Sequence, residues 1–260
     1  MIPWLAPGQP FPDIDRALAT PNGLLAAGGE LSPARLLDAY RRGIFPWFNP
    51  GEPILWWSPD PRMVLFPEEI RITRSLKRRL RRADYTIAFD RDFDAVVRAC
   101  AGPRRCARGT WITPAMRAAY GHLHRLGHAH CIEMYVAATL VGGLYGVALG
   151  RVFFGESMFS HIPNASKIAL AHLAATLHHK GFVLIDCQVP SAHLASLGAR
   201  ELPRSAFAAL LRQHVDDSRP AEQAASWRHW VAEPAVPSLT DTTSMETLQT
   251  PYGALHDTAR

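Results

Sequence analysis

The sequence predicts an α+β fold, a mixed sheet with packed helices preceded by a small N-terminal module. Three observations carry that reading. A hydrophobic fraction of 48% beside a charged fraction of 20% is the balance of a globular chain with a real core. From residue 86 onward, segments of strand period alternate with segments of helix period. The stretch before about residue 60 is instead rich in Pro, Gly and Trp, as in a compact module that leans on something larger.

The first clear element is a helix. Ser32 is a good N-cap, Pro33 sits at the first helical position, Leu36, Leu37 and Tyr40 supply apolar contacts, and Gly43 is a natural stop. Two aromatic stretches follow, Phe45-Pro46-Trp47-Phe48-Asn49-Pro50-Gly51 and Ile54-Leu55-Trp56-Trp57-Ser58-Pro59-Asp60-Pro61. Prolines through this span are expected to break any regular element. Residues 71–82 hold seven basic residues and no acid. Leu76 and Leu80, four apart, form one buried helical stripe and leave Arg71, Arg74, Lys77, Arg78, Arg81 and Arg82 outside.

Strands are expected at Thr86–Phe89, 130–136, 140–149, 151–160 and 183–188, with Gly150 turning between the third and fourth. Helices are expected at Phe93–Cys100, 114–126 and 204–213, with another running from a cap at Asn164 or Ser166 to about His179, before Gly181. The chain therefore divides into a module at 1–62, a main domain at 63–232 and a tail at 233–260. The tail's Pro, Ser, Thr and Asp content predicts disorder.

A net charge of +5 favours a polyanionic partner such as RNA, though it also suits many proteins that bind none. The N-terminus lacks a basic n-region and an apolar h-region, so no secretory signal is expected. No apolar run is long enough to predict a membrane span. Cys100, Cys106, Cys131 and Cys187 make no C-x-x-C pair, which suits free thiols in a reducing cytoplasm.

Two places could carry chemistry. An apolar strand ends in Asp186-Cys187-Gln188, and strand alternation puts Asp186 and Gln188 on one face and Cys187 on the other. Such a pair either rims a pocket or closes a sheet as a satisfied polar contact. Glu156 stands alone among Phe153, Phe154, Met158 and Phe159, where an unpaired carboxylate is costly, so it is expected to meet a cation. That cation is either an Arg or Lys of the protein, for which Lys167 is a candidate, or a ligand amine. His122, His124, His128 and His130 beside Cys131 lack zinc spacing and read as surface and turn histidines. Cys187 is a poor nucleophile candidate, because alternation turns it away from Asp186 and Gln188.

Several ordered segments resemble one family. They include Pro21-Asn22-Gly23-Leu24-Leu25, Gly43-Ile44-Phe45-Pro46-Trp47-Phe48, Leu55-Trp56-Trp57-Ser58-Pro59-Asp60-Pro61-Arg62, Gly109-Thr110-Trp111-Ile112-Thr113, Val141-Gly142-Gly143-Leu144-Tyr145-Gly146-Val147, Phe154-Gly155-Glu156-Ser157-Met158-Phe159-Ser160, Asn164-Ala165-Ser166-Lys167, Leu184-Ile185-Asp186-Cys187-Gln188 and His193-Leu194-Ala195-Ser196-Leu197-Gly198-Ala199. Together they look like the leucyl/phenylalanyl-tRNA–protein transferases, in order from about residue 20 to residue 210. The departures are Ile168, where Thr is common, and the extended tail.

The resemblance implies an N-acetyltransferase-like main domain, working in the cytoplasm as a monomer. It implies transfer of Leu, Phe or Met from aminoacyl-tRNA to proteins beginning with Arg or Lys, marking them for N-terminus-dependent degradation. No cofactor or metal is implied, since aminoacyl-tRNA is a co-substrate and its ester is already activated. Gln188 would accept a hydrogen bond from the attacking amine, Asp186 would orient Gln188, and Glu156 would bind the acceptor's cationic first residue. Tyr40, Trp47, Trp111, Leu144, Phe153 and Met158 would hold the donor side chain. The basic cluster at 71–82 would bind tRNA phosphates. Two other readings compete: an N-acyltransferase with a small thioester donor, and a tRNA-binding module without catalysis.

Overall fold

The computed structural model describes residues 2–82, 84–102, 110–215 and 224–235. Cys106, Gly109 and the expected tail from residue 236 on lie outside them. Strands β1 (Trp4–Leu5), β2 (Leu24–Gly28), β3 (Phe45–Pro46) and β4 (Leu55–Trp57) form a sheet in the order β1-β2-β4-β3. The Pro-rich stretch thus contains two strands, contrary to the expectation that its prolines break every element. Pro46 is tolerated because β3 is an edge strand, paired on one side with β4.

The larger sheet is built from β5 (Arg62–Leu65), β6 (Thr86–Phe89), β7 (Ala129–Val136), β8 (Thr139–Leu149), β9 (Val152–Ser160), β10 (Leu184–Gln188) and β11 (Arg200–Leu202). Its order is β11-β5-β10-β9-β8-β7-β6. Every pair is antiparallel except β9 with β10. Four-residue β5 and three-residue β11 are too short to show a period of their own, so periodicity does not reveal them.

The helices are α1 (Pro33–Arg41), α2 (Arg74–Leu80), α3 (Phe93–Cys100), α4 (Pro114–Arg125), α5 (Ala165–His179), α6 (Ala192–Ala195) and α7 (Arg204–His214). Side-chain caps start the first four: Ser32, Thr73, Asp92 and Thr113 accept from the Arg35, Leu76, Ala95 and Met116 amides. The expected cap at Asn164 forms differently. Its φ is 67° and its side chain caps nothing, so a left-handed turn rather than a capping bond opens α5.

Alternation along the central strands feeds two cores. Cys131, Tyr145, Val147 and Phe154 face α1, α3 and α4, while Ile132, Leu144 and Phe153 face α5. Gly142 lets α5 approach the sheet, because a Cβ there would overlap the Cβ of Ala165. Near the C-terminus Trp227 is buried, stacked 4.2 Å from the His130 ring, and the Glu233 amide donates to Thr176 Oγ1 at 3.0 Å.

Candidate active site

β9 and β10 pair in register only through Phe154 and Asp186, although both strands continue beyond. Each carries a bulge just past that point. On β9, Gly155 pairs with Gly146 and Ser157 with Tyr145, leaving Glu156 as the extra residue. On β10, Asp186 pairs with Val64 and Gln188 with Met63, leaving Cys187 as the extra residue. Bulges re-aim side chains and interrupt pairing, and here two neighbouring bulges open a cleft between parallel strands. Gly146 makes the first possible, since a Cβ there would overlap the Phe154 carbonyl. Gln188 itself sits at φ 65°, a left-handed conformation uncommon for a residue with a side chain.

The cleft opens into a cavity of about 370 Å³. Trp47, Trp111, Leu144, Phe153 and Met158, all named from sequence, line it, with Phe45, Leu170 and Leu173 beside them. Tyr40 does not line it. That ring is fully buried behind the wall, and its hydroxyl donates to Glu156 Oε1 at 2.7 Å. Trp47 is 44% exposed at the mouth and packs 5.7 Å from Trp57. Among the described residues no Arg or Lys belongs to the lining, and its two acids are Glu156 and Asp186.

Those two acids live in different surroundings. Asp186 takes Arg62 Nε on Oδ1 at 2.8 Å and Arg62 Nη2 on Oδ2 at 2.7 Å, both side chains being buried. Its Oδ1 also accepts the Gln188 backbone amide at 2.9 Å, which pins the left-handed turn. Asp186 therefore orients Gln188 through the main chain, not by touching its side-chain amide. The rings of Phe45 and Phe207 lie 4.7 and 4.8 Å from the Arg62 guanidinium.

Glu156 meets no Arg or Lys of the protein's own chain among the described residues, Lys167 included. Oε1 accepts from Tyr40 and from Gln188 Nε2 at 3.0 Å, and Oε2 accepts from the Tyr120 hydroxyl at 2.7 Å. Lys167 instead sits where its charge, after burial, lowers the His193 pKa. Burial is the largest cause pushing the Glu156 carboxyl up to about 7. Hydrogen bonds from Tyr120, Tyr40 and Gln188 act against it, and the Asp186 charge adds to it.

The other candidates sort themselves by geometry. Cys187 lines the cavity because of its bulge, overturning the expectation that alternation turns it away. Burial first, then Asp186, holds its pKa far above that of a free thiol, so it is no nucleophile. His130 is not a surface residue but buried, its Nδ1 2.7 Å from Asp90 Oδ2 and its Nε2 3.1 Å from the Gly127 carbonyl. His124 completes a cluster with these two, yet its Nδ1 is taken by the Ala129 carbonyl at 2.8 Å. Both ring nitrogens of His130 and Nδ1 of His124 are thus already bonded to carbonyl or carboxylate oxygens. Arg71, Arg74, Lys77, Arg78, Arg81 and Arg82 are exposed on and around α2, while Arg79 pairs with Asp84 and lies over Tyr85. The Arg71 amide donates to the Leu197 carbonyl at 2.8 Å, tying the basic segment to the turn after α6, whose His193 and Leu194 line the cavity.

Sequence reasoning misses Arg62 and Tyr120. Arg62 stands in a family-like motif without a role of its own, and Tyr120 lies on an expected helix 36 residues from its partner Glu156. No local signal marks either one.

Residues 64–212 match the family described as leucyl/phenylalanyl-tRNA protein transferase, and residues 29–60 match the N-terminal domain of the same family. The chain is 60% identical over 216 residues to the leucyl/phenylalanyl-tRNA–protein transferase of Nitrosospira multiformis, covering 83% of this chain and 93% of that one. It is 59% identical over 206 residues to that of Azotobacter vinelandii, covering 79% and 91%. Among solved structures, L-PGS from Bacillus licheniformis is similar at a TM-score of 0.38 and 12% identity, covering 66% and 56% of the two chains. A GCN5-related N-acetyltransferase from Kribbella flavida is similar at 0.34 and 12%, covering 62% and 58%. Those two likenesses are loose, whereas the two family matches together take in every residue that lines the cavity. By that extent and identity the chain belongs to the leucyl/phenylalanyl-tRNA–protein transferase family and is an aminoacyltransferase.

Proposed function

We propose that the chain moves Leu, Phe or Met from aminoacyl-tRNA onto the free α-amine of proteins that begin with Arg or Lys. The modified protein is then recognised by its new first residue and degraded, in the cytoplasm where charged tRNA is made. The observation that carries this reading is the apolar cavity ending at Glu156 and Gln188. An unbranched or γ-branched side chain can enter such a cavity, and shape alone discriminates against β-branched Val or Ile by ~1–3 kcal/mol. The chain works on an activated ester, so aminolysis needs no ATP and no metal step.

Gln188 donates to Glu156 through Nε2, leaving Oε1 to accept a hydrogen bond from the attacking amine. Of the two acids in the cavity, Asp186 is neutralised by Arg62 and Glu156 is not, so Glu156 supplies the attraction for the acceptor's cationic first residue, Arg or Lys. The exposed cations around α2 supply sequence-independent contacts to tRNA phosphates.

The test mixes purified protein, Leu-tRNA labelled in the amino acid and a peptide beginning with Arg. Label is expected to reach the peptide, and to stop doing so after RNase, with an acetylated peptide N-terminus, or in Gln188→Ala. Peptides beginning with Ala are expected to accept far less. If no label moves while tRNA still binds, the chain is a tRNA-binding module and the roles given to Gln188 and Glu156 fall.

A further inference from the structure

Aminolysis has a proton problem that the cavity must solve. The acceptor arrives as an ammonium, its nitrogen lone pair is blocked, and an amide such as Gln188 cannot remove the proton at neutral pH. Asp186 is unsuited, since both its oxygens are committed to Arg62 and one also holds the Gln188 amide. Glu156 differs because its partners carry no charge.

Counting hydrogens sharpens the difference. Tyr40 lies 2.7 Å from Glu156 Oε1, Tyr120 lies 2.7 Å from Oε2, and the two hydroxyl oxygens lie 2.6 Å from each other. Three oxygen–oxygen contacts close a ring, but two phenols bring only two hydrogens. When Glu156 is ionised both hydrogens point to it, and the contact between Tyr40 and Tyr120 holds none. One added proton fills the third contact.

We infer that Glu156, closed in a ring by Tyr40 and Tyr120, takes the proton from the acceptor's α-ammonium and returns it to the leaving ribose oxygen. The inference rests on the function proposed above. In the first step an N–H bond breaks, its electron pair stays on nitrogen, and the proton goes to Glu156. The amine then attacks the ester carbonyl. As the bond from carbon to the ribose oxygen breaks, that oxygen takes the proton held by Glu156. The nitrogen's second excess proton refills Glu156 and leaves to solvent, so one proton is released per transfer.

The surroundings suit this task. Tyr145 on β8, Cys187 and Asp186 with its Arg62 are the other titratable or charged groups around the ring, and His193 lines the same cavity. A Glu156 carboxyl near 7 is close to the ~7.7–8.0 of a free α-amine, so the proton passes with little driving force lost. Burial holds the Tyr40 and Tyr120 hydroxyls well above their ordinary range, so they relay hydrogens without ionising.

The experiment has two parts. Infrared difference spectra of the unliganded protein between pH 6 and 8.5 are expected to show a protonated-carboxyl band with a midpoint near 7, absent in Glu156→Gln. Tyr120→Phe keeps the carboxyl but removes one donor to its anion, and is expected to move that midpoint up by about half a unit or more. Single-turnover transfer at saturating Arg-peptide is expected to rise with the same midpoint in the wild type. In Glu156→Gln that limb disappears and the rate drops by about 10²–10³-fold, with tRNA binding kept within about twofold. A Glu156→Gln rate within about threefold of wild type, an unmoved midpoint in Tyr120→Phe, or no band in the wild type overturns the inference. A wild type that shows the band yet transfers nothing refutes the proposed function instead, and the proton-transfer role with it.

Discussion

Arg62 and Asp186 show how much of the site hangs on one buried pair. Both side chains are almost fully buried, and Arg62 Nη1 has no hydrogen-bond partner among the described residues. Desolvating two ions is costly, and their bidentate contact offsets that cost only while both are present. Arg62→Met is therefore expected to lower unfolding free energy by ~3–5 kcal/mol in a urea titration, because Asp186 is left charged and alone. Adding Asp186→Asn to Arg62→Met is expected to recover much of that loss while leaving transfer impaired, since the bond from Asp186 to the Gln188 amide is weakened. If the double variant is as unstable as Arg62→Met alone, the pair is not what the stability depends on. The sequence marks Asp186 through the polar end of an apolar strand. It cannot mark Arg62, whose partner lies 124 residues away.

At the scale of elements, α2 is the clearest case of sequence made visible. Leu76 and Leu80 are buried as the four-residue spacing predicts, and the basic residues around them face outward. Arg79 is neutralised by Asp84, just beyond the acid-free run, so six exposed cations remain for a polyanion. Replacing Lys77, Arg78 and Arg81 with Gln is expected to weaken aminoacyl-tRNA binding. It should also flatten the slope of log affinity against log salt by about one for each phosphate that is no longer neutralised. A slope unchanged by the triple substitution would place the tRNA elsewhere. The bulges are the opposite case. Alternation correctly gives the faces of β9 and β10 up to Phe154 and Asp186, then fails where an extra residue shifts the register.

Across the whole molecule, the two sheets share one of the two cores. Leu25, Leu36 and Tyr40 from the first sixty-odd residues pack in the same cluster as Val96, Met116, Tyr145 and Phe154. Tyr40 crosses from the N-terminal part to Glu156, and Trp47 stands at the cavity mouth. A chain lacking residues 1–62 loses these groups and Arg62, and uncovers the apolar face they bury. It is expected to show no cooperative thermal transition and no transfer; a sharp transition in that truncated chain would mean the main sheet is self-sufficient. No helix among the described residues is long and apolar enough to cross a membrane.

The amino-acid sequence by itself determined what is local. Caps, periodicities and turn residues set α1, α3, α4 and the long central strands, because each depends on neighbours within a turn or a pleat. The resemblance carried by ordered motifs pointed to the family and to the cavity residues. Tertiary structure alone decided which strands neighbour β10, where its register slips, and which hydroxyls reach Glu156. Those outcomes depend on contacts between residues far apart in the chain, where pairing, burial and hydrogen counting act only once the fold is closed.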